Sequence, residues 1–273
     1  MPAVKLSFSD VLSESFSFFF SNLRLFFHLV TLPWIMSVAI RLAGAALAPD
    51  SPLAVLIQKG VDVVPTVMFM VAWQRVVLLG PNRVDRLPGL GWSARETAYL
   101  VHLIKVAGIT FVLVGALLLT MGSLDPAALT PGAPLDPEVT RQQTMAAPLG
   151  AGFIVSMLLA LRVSYGLAAT AVDVPFSPRL SWTYSRGNAW SIIGALFLTF
   201  FAGALVTAMT MLVVLGLMSG VLGAQEAAAV VTWTVTILVS YGASAVVATV
   251  QAVILRRLLG WREGAPLPAL SGS

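Results

Sequence analysis

No cysteine occurs among the 273 residues, histidine appears twice, and charged side chains make up only 10%. The first absence excludes disulfides, thiolate metal sites and cysteine nucleophiles. The second leaves too few ligands for a zinc site, which takes three or four His, Cys or carboxylate groups. The third excludes a soluble enzyme or nucleic-acid-binding domain, since soluble domains carry about 25% charged residues. What the chain has is apolar surface: 58% hydrophobic residues and a mean hydropathy of +0.91. That composition describes a polytopic membrane protein. The net charge of +4 then reads as Lys and Arg gathered on one side of a bilayer, with no nucleic-acid partner expected.

A bilayer core of about 30 Å needs about 20 apolar residues in a helix. Six segments meet this length, near residues 25–47, 61–79, 100–122, 147–172, 190–223 and 227–255. The expected fold is an all-α integral membrane protein, one polytopic domain over residues 1–273. Ala46-Leu47-Ala48 resembles a cleavage site, but Pro49 follows it, so the first span reads as uncleaved. The fifth segment is too long for one perpendicular span, which predicts a tilt, an interfacial start, or a bend near Gly216, Gly220 and Gly223. Gly216 and Gly220 have the small-xxx-small spacing of close-packed membrane helices. Ser244, Ala248 and Ala252 form a second small stripe in the last span. Both stripes are expected to face other helices, of this chain or another.

Sorting the sixteen Lys and Arg residues by side puts Arg41, Lys59 and Arg141 on one face and the other thirteen opposite. The twelve acidic residues divide evenly, leaving +7 and −3. The positive-inside rule then predicts cytoplasmic termini, and with them a bacterial inner-membrane location. Residues 123–146 hold four prolines and read as an extended connector.

The odd-numbered spans share an entry pattern. Phe16–Asn22 precedes the first and Trp182–Asn188, which includes Arg186, precedes the fifth. Both read aromatic, polar, aromatic, two residues, a small residue, then Asn. Arg95–His102 keeps part of the pattern before the third. Such segments suit short amphipathic helices in the headgroup layer. The even-numbered spans end near arginine: Arg75, Arg162 and Arg256. The chain thus reads as three repeats of an interfacial helix plus a helical hairpin. Two readings of the arginines stay open. They converge on a basic pocket for an anionic lipid or phosphate, or each snorkels to the interface.

No Ser-His-Asp, His-Glu-x-x-His or phosphate-loop pattern occurs. His28 and His102 read as interfacial residues. Arg41 and Asp62 are the other charged residues within reach of a span, and they are placed to pair across the first hairpin. Asp62 is expected at the interface, because the second span starts at about residue 61. No catalytic, cofactor-binding or metal-binding residue is assigned.

These pieces resemble a known family: bacterial inner-membrane proteins of six spans, themselves uncharacterised, related to the membrane domain attached to some glycerophosphodiester phosphodiesterases. The matching stretches are the aromatic segment ending in Asn22, Pro33, Trp73–Gly80, Arg162–Val172 and Trp182–Trp190. The resemblance implies the six-span fold. It brings no catalytic residues, and the chain has no soluble phosphodiesterase domain. Three functions remain: a non-enzymatic organising, accessory or lipid-interacting protein; a transporter or channel for a lipid or apolar solute; or a membrane-embedded headgroup enzyme. The expected partners are membrane lipids, other membrane proteins or a second copy of the chain.

Overall fold

Nine α-helices in a computed structural model account for nearly all of the described residues, which are 5–47, 52–83, 92–120, 137–222 and 225–263. Six stretches are long and apolar enough to cross a membrane. The protein is an all-α, multi-pass membrane protein.

The amphipathic entry segment forms α1 (Phe8–Ser21). Ser7 caps its first turn by accepting from the Asp10 N–H, and Val11, Ser15 and Phe19 bury one face at four-residue spacing. Asn22 ends α1: its side chain donates to the Phe18 carbonyl at 2.8 Å and its backbone N–H to Phe19. The chain then re-enters a helix at once as α2 (Leu23–Leu47), and α3 (Pro52–Leu79) returns beside it. A single 3-10 turn, Pro81–Arg83, follows.

The third span is α4 (Ala94–Thr120). Here the expected interfacial segment is no separate helix; it is the first two turns of α4. A capping box explains this, with the Ser93 N–H donating to Glu96 at 2.9 Å and the Ser93 hydroxyl also bonded to Glu96. The α5 helix (Pro137–Ser164) begins inside the stretch expected to be extended, so residues 137–146 correct that reading. Proline suits a first helical position, where its missing N–H costs nothing. Residues 121–136, most of the predicted connector, lie outside the described residues.

The fourth span breaks where the sequence shows no interruption. After Ser164 the chain turns at Tyr165 and resumes as α6 (Gly166–Ala171). Buried Tyr165 donates to the Ser181 carbonyl at 2.7 Å. Gly166 is wedged so tightly that an added Cβ would overlap the Ser181 hydroxyl and lie 2.8 Å from Phe176. The short α7 (Pro178–Tyr184) precedes α8 (Ala189–Leu222) and α9 (Gln225–Leu259). The α8 helix runs unbroken through Gly216 and Gly220; Gly223 lies outside the described residues. Its 34 residues extend about 51 Å, well beyond the bilayer core.

The last helix is the axis of the bundle. More than half of its most apolar window (56%) is buried, against 0% for α8, and it touches α1, α2, α3, α6 and α8. Lipid is as apolar as leucine, so packing and hydrogen bonds must hold such helices together. Both are present. Phe19, Phe26, Phe69, Trp73 and Tyr241 interlock with ring centroids 5.2–6.3 Å apart. Trp73 donates to Thr249 at 2.9 Å, and Gln74 to Gln251 at 2.8 Å; Gln251 reaches Ser164 at 3.3 Å. Each such bond between membrane helices contributes about 0.6 kcal/mol.

Of the two small stripes, one packs. Ala248 and Ala252 are fully buried and Ser244 partly so. Gly216 and Gly220 are exposed, with open space where a Cβ would be, so among the described residues they face no helix. The close contact between α8 and α9 is made instead by Gly203, whose added Cβ would come 2.7 Å from that of Ala243.

Candidate functional site

The alternating direction of six spans puts the N-terminal helix and the end of α9 together. At this termini end the predicted arginines are found, each bonded elsewhere. Arg75 of α3 donates to the Ala171 carbonyl at 3.2 Å and to Asp173 at 3.3 Å. Arg95 of α4 grips the same carboxylate, with Nε 2.8 Å from Oδ1 and 3.0 Å from Oδ2. Asp173 sits at φ +63° just after α6. This left-handed conformation is costly for most residues and tolerated by Asp. The three residues tie α3, α4 and α6 at their ends.

Arg162 closes α5. Its guanidinium lies 3.6 Å from the Trp182 ring centroid, its Nε donates to Ser185 at 2.9 Å, and its Nη2 reaches the Trp182 carbonyl at 3.3 Å. Two residues singled out separately in the sequence are thus one contact, and it fastens α7. Arg186 is exposed nearby in sequence. Asn188 is buried; its Oδ1 accepts from the Leu6 N–H at 2.8 Å, anchoring the start of the chain against α8. Arg256 pairs with Glu14, and Arg257 with Glu14 at 2.6 Å and Asp10 at 3.7 Å, clasping α1 onto α9. Arg75, Arg162 and Arg256 therefore bond to three different places. His102 is buried between helices, with Nδ1 2.9 Å from the Thr170 hydroxyl. Among the described residues no group of three His, Cys, Asp or Glu could hold a metal ion.

The opposite end of the bundle holds a cavity of about 380 Å³ between α2, α3, α8 and α9. Ser37 and Arg41 line it from α2; Gln58, Lys59, Asp62 and Thr66 from α3; Trp233, Thr236, Ser240, Tyr241 and Ser244 from α9. Asp62 was expected at the interface. It lies ten residues past Pro52, about 15 Å along a helix that starts nine residues before the apolar run does. Nor does it pair with Arg41. The Arg41 guanidinium stands 4.9 Å from the Trp233 ring centroid, a cation–π contact. Asp62 Oδ1 and the Thr236 hydroxyl are buried with no hydrogen-bond partner. Burying such atoms costs about 1–3 kcal/mol each unless a ligand or water satisfies them.

The cavity floor is well bonded. Tyr241 and Ser37 share a 2.8 Å hydrogen bond, with the Tyr241 hydroxyl 3.4 Å from the Pro33 carbonyl. Pro33 and Pro65 lie inside the two unbroken helices of this hairpin at the cavity's depth. Each removes one backbone donor, which weakens the helix at that turn.

A second space adjoins the first. An apolar groove of about 480 Å³ runs between α3, α8 and α9, lined by Met70, Phe200, Gly203, Ala204, Ala208 and Val247. Met211, Ser240 and Ser244 line both.

Sequence reasoning found Arg41 and Asp62 but not the site around them. The signal is four-residue spacing of polar groups, which places them on one helix face. Ser37 and Arg41, Gln58, Asp62 and Thr66, and Thr236, Ser240 and Ser244 form three such stripes. Ser244 was seen only as the start of a small-residue stripe; read toward the start of α9, the same face is hydroxylated. Comparison of the chain with protein-family models, with curated proteins and with solved structures finds no match.

Proposed function

We propose that this chain is a non-enzymatic, lipid-interacting membrane protein that takes an amphiphile from the bilayer, holding its polar head in the cavity and its chain in the groove. The supporting observation is that the two spaces adjoin, with Met211, Ser240 and Ser244 lining both. A polar cavity alone suits a soluble solute, and an apolar groove alone suits lipid packing. Joined, they match a molecule with both parts. Intramembrane charges mark functional sites because leaving them in lipid is costly. Kinship with the six-span family belongs to the same proposal, on the motifs quoted.

We place the protein in a bacterial inner membrane with both termini cytoplasmic. The support is charge: Arg41 and Lys59 stand at the far end, while Arg75, Arg95, Arg256 and Arg257 share the termini end. The cavity then belongs to the outer half of the bilayer.

Native mass spectrometry of the protein in mixed-lipid nanodiscs tests the amphiphile reading. Ala208→Trp fills the groove and Arg41→Gln removes a head contact. Each variant is expected to lower retained lipid several-fold while the fold persists. Unchanged retention in both overturns the reading. Pro33 and Pro65 favour a second reading, in which the cavity is one stage of lipid transport, since weakened helix turns beside a binding site are a transporter feature. Lipid movement between leaflets of reconstituted vesicles, abolished by Arg41→Gln, is its expected sign.

A further inference from the structure

The cavity also selects a head. We infer that its ligand is a phospholipid whose head carries one negative charge and a free hydroxyl, and no amine. This rests on the amphiphile reading and adds the chemistry of the head. Arg41, Lys59 and Asp62 give the cavity a formal charge of +1. A monoanionic phosphodiester brings the total to zero, whereas a zwitterionic head leaves it at +1, with part-buried Arg41 and exposed Lys59 sharing one fewer net counter-charge.

Asp62 adds the second requirement. Its Oδ1 is buried without a partner, and a carboxylate oxygen only accepts hydrogen bonds. Neither Arg41 nor Lys59 forms an ion pair with it among the described residues, and Arg41 is engaged by Trp233. A donor on the ligand would satisfy the atom. An ammonium would supply one but would add to the surplus positive charge. A hydroxyl supplies one without charge, and its own oxygen can accept from Thr236, the other unpartnered group of the cavity. Phosphate toward Arg41 and Lys59, hydroxyl toward Asp62 and Thr236, and chain past Met211 into the groove use every exceptional feature of the site.

Three probe lipids separate the claims. Phosphatidylglycerol has the charge and the hydroxyl, phosphatidylmethanol the charge alone, and phosphatidylethanolamine an amine. In nanodiscs containing all three in equal amounts, the protein is expected to retain phosphatidylglycerol about tenfold over phosphatidylmethanol, the discrimination one hydrogen bond to a charged group supplies, and several-fold over phosphatidylethanolamine through net charge. Asp62→Leu should abolish the preference over phosphatidylmethanol but keep that over phosphatidylethanolamine, since the cavity charge rises to +2. Millimolar inorganic phosphate should displace no lipid; displacement would show that the site takes a free anion and overturn the lipid head. Retention of phosphatidylethanolamine, or of phosphatidylmethanol equally with phosphatidylglycerol, overturns the head assignment and leaves the amphiphile reading standing. Retention of no lipid above its bulk proportion overturns both. The competition in the unmodified protein decides the matter even where a variant does not fold.

Discussion

Single residues here act through how closely they let backbones approach. Gly203 is such a residue, because a methyl group there meets Ala243 at 2.7 Å. Gly203→Ala is expected to destabilise the bundle by about 1–3 kcal/mol, the usual cost of overpacking. Gly216→Ala, with open space around it, should be neutral or stabilising by up to about 1 kcal/mol through helix propensity. Thermal unfolding of the two variants in one detergent checks the contrast, and equal losses would show that Gly216 also packs. The sequence argues the other way, since Gly216 and Gly220 form the recognisable motif and Gly203 stands alone. Spacing reports only that two small residues share a face. Whether a helix lies opposite depends on long-range packing that no local pattern encodes.

Helices were more legible than the contacts among them. The six apolar runs were found in the right order, and most of their ends fall within a few residues of the helices. The exceptions have physical causes. The second apolar span starts near residue 61 because Gln58 and Lys59 lower the hydropathy before it, although the helix begins at Pro52. The residues that form the cavity thus concealed the helix that carries them. The break at Tyr165 was invisible because both halves are apolar and the turn is fixed by Ser181, in another helix. The arginines were located correctly, but their partners were out of reach: Glu14 and Arg257 are 243 residues apart. That clasp makes a prediction for α1. The partners of Glu14 are one-third to one-half exposed, so each pair is worth no more than about 1 kcal/mol. Glu14→Gln should therefore speed hydrogen exchange in α1, more so at low salt, and leave the core of α9 protected. Uniform loss of protection across the bundle would show that α1 is integral to its stability.

The whole molecule has a simple electrical plan, with most of its cations at the termini end and Arg41 and Lys59 opposite. The absence of cysteine makes this testable without background. In intact cells, Lys59→Cys should react with a membrane-impermeant maleimide, and Arg262→Cys only after permeabilisation. Labelling of both without permeabilisation would overturn the assignment of cytoplasmic termini.

The position of α9 on the bundle axis has a consequence for how the molecule is made. Translation delivers this helix after the other five spans. Until it arrives, Trp73 lacks Thr249, Gln74 lacks Gln251 and Ser37 lacks Tyr241. The first hairpin therefore waits in the lipid with polar groups unsatisfied while some 150 residues are synthesised. Its loops close across most of the chain, and contacts of such sequence separation form slowly. During that interval the early spans are exposed to mispairing and to quality-control proteases. Insertion of the final helix, rather than of the first, commits the bundle to its native arrangement.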